Sequence, residues 1–378
     1  MKPAILLFYT LILTAMAVCQ GTVTNLDAHD IIRGVWKAQQ SLKTVSYTLA
    51  RTDTFTTGDT RRSTGKAMIR IAREDSVFGF LFLGRKDGYR GESVYDGHTA
   101  YDTDDEQRTY RLITRSSDIP HVLGSPGGQI ILTDLISLDT AKAISMKAWG
   151  EGQNIYILFN YPDLKAYDVT KRSKTVTIDK KTMLPTAMRS HQETLGKVQD
   201  LYYRITDIQV NSPSFEYDFS APAFLKSYSQ QNIQPDRSVL ALKGSSAPAF
   251  VLSSFSGSEV ASASLQGKAV LLDFWEVWCG PCIESMPKVE QLYSAYKDKG
   301  LQVFGVVNDL KQLESAKRFV EKRALKFPML VGNEGLVRDY KVNGVPQYVL
   351  IDKQGKISFI SVGYSAELEA AIKNSLQN

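Results

Sequence analysis

Much of the first half of the chain alternates apolar and polar residues, a pattern typical of half-buried β-strands. One helix precedes them, because Ile31, Ile32, Val35 and Trp36 recur at helical spacing within 'NLDAHDIIRGVWKAQQSLKTV'. The runs that follow are rich in β-branched and aromatic residues and are bounded by Gly, Asp and Thr, which predicts strands. They read 'VSYTLARTDTF', 'GKAMIRIARE', 'FGFLFLG', 'NIYILFN', 'AYDVT', 'KTVTID', 'LPTAMRSH' and 'VQDLYYRITDIQVN'. We therefore expect a sheet-rich region with helices packed on one face.

Turn signals divide this region further. Asp96-Gly97 lies between two alternating runs and predicts a hairpin, since both residue types tolerate positive φ. A second turn is expected at the acidic run 102–106, which we interpret as solvated, and a helical turn within 'GGQIILTDLISL'. The sheet is expected to end near Phe224. The aromatic residues of this region are predicted to form sheet core rather than a ligand site; they are Phe78, Phe80, Phe82, Tyr95 and Tyr101.

The pattern changes after residue 246. Residues 226–246 are polar with no clear period and predict a linker. Beyond them strands and helices alternate: 'AVLLDFW', a helix from Cys279, 'LQVFGVVN', the helix 'KQLESAKRFVEKRA', a helical turn around 'GLVRDYKV', the strands 'QYVLID' and 'KISFISVG', and a C-terminal helix. Alternation of this kind favours an α/β sheet covered by helices. The predicted domains are 20–235, which includes most of the linker, and 236–378.

Composition adds two constraints. The chain has 378 residues, 43% hydrophobic and 22% charged, which is ordinary for a soluble globular protein of two domains. The formal net charge is only +5 and Lys and Arg form no concentrated block. A nucleic-acid-binding role therefore has little support.

The N-terminus predicts an export signal over residues 1–19. Lys2 precedes the apolar run 4–18, which is short for a membrane span, and 'AMA' and 'AVC' both offer small residues for signal peptidase. A buried N-terminal helix would need a polar face, which this run lacks. Lipid attachment at Cys19 stays open, although Val18 stands where a lipoprotein signal prefers a smaller residue.

Cysteine usage then narrows the chemistry. Removal of the signal leaves only Cys279 and Cys282, and an exported protein that keeps a lone C-x-x-C pair favours redox chemistry over a structural role. A structural zinc needs about four ligands, but no second cysteine pair exists and none of the four histidines lies after residue 191. Haem attachment fails because Ile283 replaces the required histidine. Two inert thiols remain the alternative.

The position of the pair favours catalysis. It opens a predicted helix directly after an apolar strand, where unpaired N–H groups and the helix dipole stabilise a thiolate. Cys279 would be the exposed nucleophile, and Cys282, one turn later, would resolve the mixed disulfide. Pro281 suits the first turn, where its missing N–H costs nothing.

The stretch 'FWEVWCGPC' resembles the active site of the thioredoxin superfamily, and the surrounding domain resembles its exported TlpA/ResA-type branch. The resemblance covers residues 247–378 and includes 'SAPAFVL', 'LQGKAVLLDFW' and 'GVPQYVLIDKQGKI' in the family's order. It implies a thioredoxin-like α/β fold and a thiol:disulfide oxidoreductase without cofactor or metal. Such a protein exchanges a Cys279–Cys282 disulfide with protein thiols of the cell envelope.

The resemblance also assigns individual residues. Val345 and Pro346 match the family's cis-proline loop, which offers backbone groups to a bound substrate. Trp278 matches the tryptophan beside the nucleophile, and Gly280 and Pro281 separate the cysteines as in reducing members. A reductant in this compartment would also need a membrane electron donor.

The resemblance offers more than one candidate for the residue that accepts the proton of Cys282. Asp273 matches the buried acid of thioredoxins and would need a pKa raised by burial. The exported branch carries a glutamate three residues after the second cysteine, where this chain has Ser285. Glu276 and Glu284 are the alternative acids.

The front region resembles the LolA-type lipoprotein-carrier half-barrel, a curved antiparallel sheet with helices. The phrases that carry this likeness are 'VYDGHTAYD' and 'MLPTAMRS'. It implies an apolar concavity and an alternative function, an envelope protein that binds lipid or another apolar ligand, with the redox domain subordinate. A spacer or docking module for the redox domain is the competing interpretation.

Overall fold

The computed structural model describes residues 23–165, 168–231 and 239–377, and in them the strands form two separate sheets of thirteen and seven strands. The predicted export signal and Cys19 lie outside the described residues. No helix in the described part is both long and apolar enough to span a bilayer.

The first sheet is antiparallel apart from one edge. Its strands are β1 (Thr24–Leu26), β2 (Thr44–Thr54), β3 (Thr60–Ile71), β4 (Phe80–Lys86), β5 (Ser93–Tyr95), β6 (Ala100–Asp104), β7 (Thr109–Ile113), β8 (Ser145–Glu151), β9 (Asn154–Asn160), β10 (Val169–Asp179), β11 (Pro185–Thr194), β12 (Lys197–Val210) and β13 (Ser229–Gln230). Their order is β1-β8-β9-β10-β11-β12-β2-β3-β4-β5-β6-β7-β13, and β13 pairs parallel to β7. The sheet has two edges and is therefore open.

Helical segments cover one face of this sheet. Helix α1 (Ala28–Gln40) begins at the N-cap Asp27, whose carboxylate accepts the Asp30 N–H at 2.9 Å. Its buried Ile32 and Val35 pack on strand residues that alternate inward, as the sequence pattern predicts. The short α2 (Thr133–Ile136) lies beside α1, since the Gln39 amide donates to the carbonyl oxygen of Asp134 at 2.8 Å.

The aromatic residues of the first sheet are core, as predicted. Phe80, Phe82 and Tyr95 are at most 3% exposed, and Phe78 packs edge-on against Tyr95 with ring centroids 5.0 Å apart. Tyr101 is also buried but belongs to a second cluster with Phe224. These aromatic side chains pack against one another.

Some sequence expectations for this region were wrong. β1 and β8 were not predicted, because 'TNL' is short and 'SMKAWGE' lacks β-branched residues; each is held by its neighbour. Val169 and Thr170 of 'AYDVT' belong to the same strand, β10, as 'KTVTID'. The described residues of the segment predicted as a linker include β13 and a 3-10 turn at Leu240–Leu242.

The second sheet is the predicted α/β arrangement. Its strands are β14 (Val251–Ser254), β15 (Glu259–Ala261), β16 (Ala269–Phe274), β17 (Leu301–Val307), β18 (Met329–Val331), β19 (Gln347–Ile351) and β20 (Ile357–Val362). Its helices are α3 (Gly280–Tyr296), α4 (Leu313–Arg323), α5 (Glu334–Asp339) and α6 (Leu368–Gln377). The order is β15-β14-β18-β17-β16-β19-β20. Every residue of the central β16 is buried, which is typical of a strand covered on both faces.

Candidate active site

The cysteine pair lies where β16 gives way to α3. Cys279 is the N-cap of α3, and its sulfur accepts the backbone N–H of Cys282 at 3.2 Å. The two cysteines form a disulfide, with their Cα atoms 5.2 Å apart. Pro281 occupies the first turn of the helix, where no intrahelical N–H is required. The sequence therefore places two sulfur atoms at the positive end of a 17-residue helix.

The predicted exposure of Cys279 was wrong. It is 5% exposed, close to the 2% of Cys282. Its side chain turns inward, because it is bonded to Cys282 and belongs to a buried apolar cluster with Trp275 and Leu195. Trp278 is by contrast 63% exposed and marks the open side of the site.

Asp273 is a buried carboxylic acid on β16. Asp273 is only 2% exposed, and its Oδ1 has no hydrogen-bond partner among the described residues. Burial raises the pKa of Asp273 to about 8, because the charged form cannot be solvated there. At neutral pH this residue can therefore hold a proton and exchange it.

Glu276 is a second buried acid, in the loop between β16 and α3. Its Oε1 accepts the N–H groups of Asn308 and Asp309 at 2.8 and 3.0 Å, while its backbone carbonyl oxygen accepts the N–H of Cys279 at 3.0 Å. Burial raises the pKa of Glu276 to about 7, against the lowering effect of the two N–H groups. Its contacts connect the loop that precedes Cys279 to the end of β17.

Ser285 occupies the position where the exported branch has an acid. Its buried hydroxyl lies 2.9 Å from the carbonyl oxygen of Pro281 and accepts the Tyr348 hydroxyl at 2.7 Å. Burial is the main cause that raises the pKa of Tyr348 above its ordinary value, and the nearby Asp273 raises it further. Glu284 lies on the exposed side of α3, so the two buried acids are Asp273 and Glu276.

The predicted cis peptide bond is present between Val345 and Pro346. Val345 packs against the cluster that contains both cysteines, and the carbonyl oxygen of Pro346 accepts the N–H of Gly363 at 2.8 Å. Sequence reasoning did not identify Tyr348, two residues further on. The available signal was a hydroxyl-bearing residue directly before the apolar run Val349 to Ile351 of the strand 'QYVLI'.

Comparison with known proteins finds relatives of the C-terminal part of the chain. The family described as Redoxin matches residues 242–376. The thiol-disulfide oxidoreductase ResA of Bacillus anthracis is 36% identical over 115 residues, which are 30% of this chain and 66% of that protein. The Geobacillus kaustophilus ResA is 37% identical over 32% of this chain and 69% of its own length. The Halalkalibacterium halodurans ResA is 32% identical over 46% of this chain and 92% of its own length.

Solved structures of thiol:disulfide interchange proteins are also similar. One from Chlorobium tepidum is 26% identical, with a TM-score of 0.33 over 35% of this chain and 97% of that chain. Another from Bacteroides sp. is 28% identical, with a TM-score of 0.33 over 36% of this chain and 91% of that chain. On the sequence matches to ResA proteins, together with the C-x-x-C helix start, the chain belongs to the ResA-like thiol-disulfide oxidoreductases of the thioredoxin superfamily.

Proposed function

We propose that this protein is an exported reductant that transfers electrons from its Cys279–Cys282 dithiol to disulfides of other envelope proteins, here called clients. The observation that carries the proposal is the cysteine pair at the start of α3, which follows the strand that holds Asp273, an acid buried without an ion-pair partner among the described residues. The Gly-Pro dipeptide between the cysteines supports the reducing direction. The export signal predicted for residues 1–19 supports the location, with Cys19 as a candidate lipid anchor.

The reaction proceeds by two exchanges. The Cys279 thiolate attacks one sulfur of the client disulfide; a Cys279–client bond forms, the client disulfide breaks, and the second client sulfur leaves as a thiolate that takes up a proton. Cys282, once deprotonated, attacks the Cys279 sulfur and releases the first client sulfur, which also becomes a thiol. Two electrons and two protons pass to the client, and a membrane electron donor would restore the dithiol.

Asp273 is the proposed proton acceptor for Cys282. A base for a thiol must be ionisable near the working pH, and burial has moved the pKa of Asp273 to about 8. Trp278 and the backbone of Val345 and Pro346 are proposed to position the client beside Cys279.

Two cysteine variants test this function. Cys279→Ser is expected to abolish reduction of a protein disulfide, because serine cannot attack sulfur. Cys282→Ala should instead accumulate a mixed disulfide with the client on Cys279, which mass spectrometry would identify. Full activity in Cys279→Ser would refute the assignment.

The N-terminal region (20–235) is proposed to be a domain that serves the redox domain (236–378). Its likeness to the LolA half-barrel stays a proposal. No specific observation favours binding of an apolar ligand there, since its aromatic residues pack against one another.

A further inference from the structure

The N-terminal sheet reaches the redox centre. The hairpin that joins β11 to β12 turns at Leu195 and Gly196, and Leu195 is 3% exposed within the cluster that contains Cys279, Trp275 and Phe319. A residue more than 80 positions before the active site along the chain is thus part of its core. The hairpin forms a wall of the site.

Side-chain contacts fasten this wall to α4 and the turn before it. Arg318 donates to the carbonyl oxygen of Leu195 at 3.0 Å. Gln312 donates to the Thr56 hydroxyl at 3.2 Å, so the β2–β3 turn is held as well. An ion pair between Lys322 and Asp168 adds a third attachment near the start of β10. Three separate turns of the first sheet therefore contact α4 or the turn before it.

A cavity of about 320 Å³ lies between the wall and the active-site loop. On one side it is lined by Val277, Trp278 and Gly280, which flank Cys279, and on the other by Gln192, Leu195 and Gln199, among others. A molecule held there would contact the residues that precede and follow Cys279 in the chain.

The described residues that line the cavity are uncharged. They are apolar side chains (leucine, valine, isoleucine, phenylalanine and tryptophan), glycine, and the polar glutamine, threonine and serine, and no described Asp, Glu, Lys or Arg is among them. The side-chain amide of Gln192 donates to the side-chain oxygen Oε1 of Gln199 across the hairpin at 2.6 Å. Amides of this kind match the donors and acceptors of a peptide backbone. A charged side chain entering the cavity would lose hydration without gaining a counter-charge, which is unfavourable.

We propose that this cleft is the client-binding site and that it selects client segments whose cysteine is flanked by uncharged residues. The inference rests on the function proposed above and extends it: the N-terminal sheet supplies half of the specificity of the redox domain. Gln199 is then a specificity-determining residue.

Peptides that differ only beside the cysteine test the selection. Three synthetic peptides carry one central cysteine, as a mixed disulfide with thionitrobenzoate, and have Leu, Asp or Lys on both sides. The full-length reduced protein attacks each, and release of coloured thionitrobenzoate reports the rate at fixed ionic strength. We expect the Leu peptide to react about tenfold faster than either charged peptide, which corresponds to about 1.4 kcal/mol. Rates within twofold of one another would overturn the inference.

A charge placed in the cleft sharpens the test. Gln199→Glu keeps an acceptor for Gln192 but adds a negative charge, and should raise the Lys-to-Asp rate ratio about tenfold. Gln209→Glu makes the same change on an exposed part of the same strand and should leave the ratio unchanged. Equal shifts in both variants would contradict a role for the cleft. Absence of release from every peptide, or undiminished release by Cys279→Ser, would instead refute the proposed function.

Discussion

The two sheets treat buried acids differently. In the N-terminal sheet Asp53 is paired with Arg51 at 2.6 Å and Asp134 with Lys174 at 2.8 Å. In the redox sheet Asp273 and Glu276 are equally buried, yet neither has a basic partner within ion-pair distance among residues 23–165, 168–231 and 239–377. The Asp53–Arg51 pair lies within β2, and the Asp134–Lys174 pair joins α2 to β10. The unpaired acids retain raised pKa values, about 8 for Asp273 and about 7 for Glu276, which suits proton transfer.

The largest expected effect is on the rate at which the client is released, and it comes from replacing the unpaired Asp273. Asp273→Asn removes the proposed acceptor but keeps the shape, and should slow release of the client from the mixed disulfide by about 10²-fold or more. Rapid-mixing experiments with the reduced protein would measure this step separately from the first attack by Cys279. Glu276→Gln is the matched control: it keeps an oxygen for the N–H groups of Asn308 and Asp309 and should slow release only a few-fold. The reverse order of effects would make Glu276 the acceptor.

The sequence identified Asp273 itself, but it did not show the contacts that the rest of the site makes. The cysteine pair, Pro346 and Asp273 lie in short segments whose motifs carry the family resemblance, so they could be recognised locally. Glu276 was only an alternative, because its burial depends on two backbone N–H groups more than 30 residues further along. The inward position of Leu195 depends on contacts over 123 residues with Arg318, which no local pattern encodes.

The same limit applies to the fold. Alternating strands and the helix α1 were predictable because their periods reflect burial within each element. The parallel pairing of β13 with β7 was not, since 'SQ' has no strand signal and acquires its conformation from the neighbouring strand. Asp53 also gave no signal, because its partner Arg51 is one of many arginines in the sequence.

The second effect concerns the paired acids. Arg51→Met leaves Asp53 buried without its cation, which should lower the free energy of unfolding by about 3 kcal/mol. Chemical denaturation monitored by circular dichroism would measure the change. The double variant Arg51→Met/Asp53→Leu should recover most of the loss, because no uncompensated charge remains. An unchanged stability in the single variant would show that the pair contributes nothing.

The third effect is the pH dependence of stability from Asp273. Its folded pKa of about 8 lies above the ordinary value of 3.8, so the folded state binds the proton more tightly than the unfolded state. The stabilisation of the protonated form is complete below about pH 4 and is lost as the pH rises through about 8. Between pH 6 and pH 8 the free energy of unfolding should fall by about 2 kcal/mol more in the native protein than in Asp273→Asn. Parallel curves for the two proteins would mean that Asp273 is ionised throughout.

The smallest effect comes from the neutral neighbour of Asp273. Tyr348 lies opposite Asp273 in the pairing of β19 with β16, and its hydroxyl donates to Ser285. Hydroxyl groups therefore lie near Asp273, whereas the buried acids of the N-terminal sheet have cations beside them. Tyr348→Phe removes that hydrogen bond and should lower the free energy of unfolding by about 1 kcal/mol.

Tyr340→Phe is the control. The hydroxyl of Tyr340 donates to the Pro248 carbonyl oxygen at 2.7 Å, in a part of the domain that does not include the cysteines. Both variants should lose similar stability, but only Tyr348→Phe should change the pH at which client release is half-maximal. A shift of that pH in both variants would indicate a general loosening of the sheet, and the hydroxyl beside Asp273 would then have no separate role.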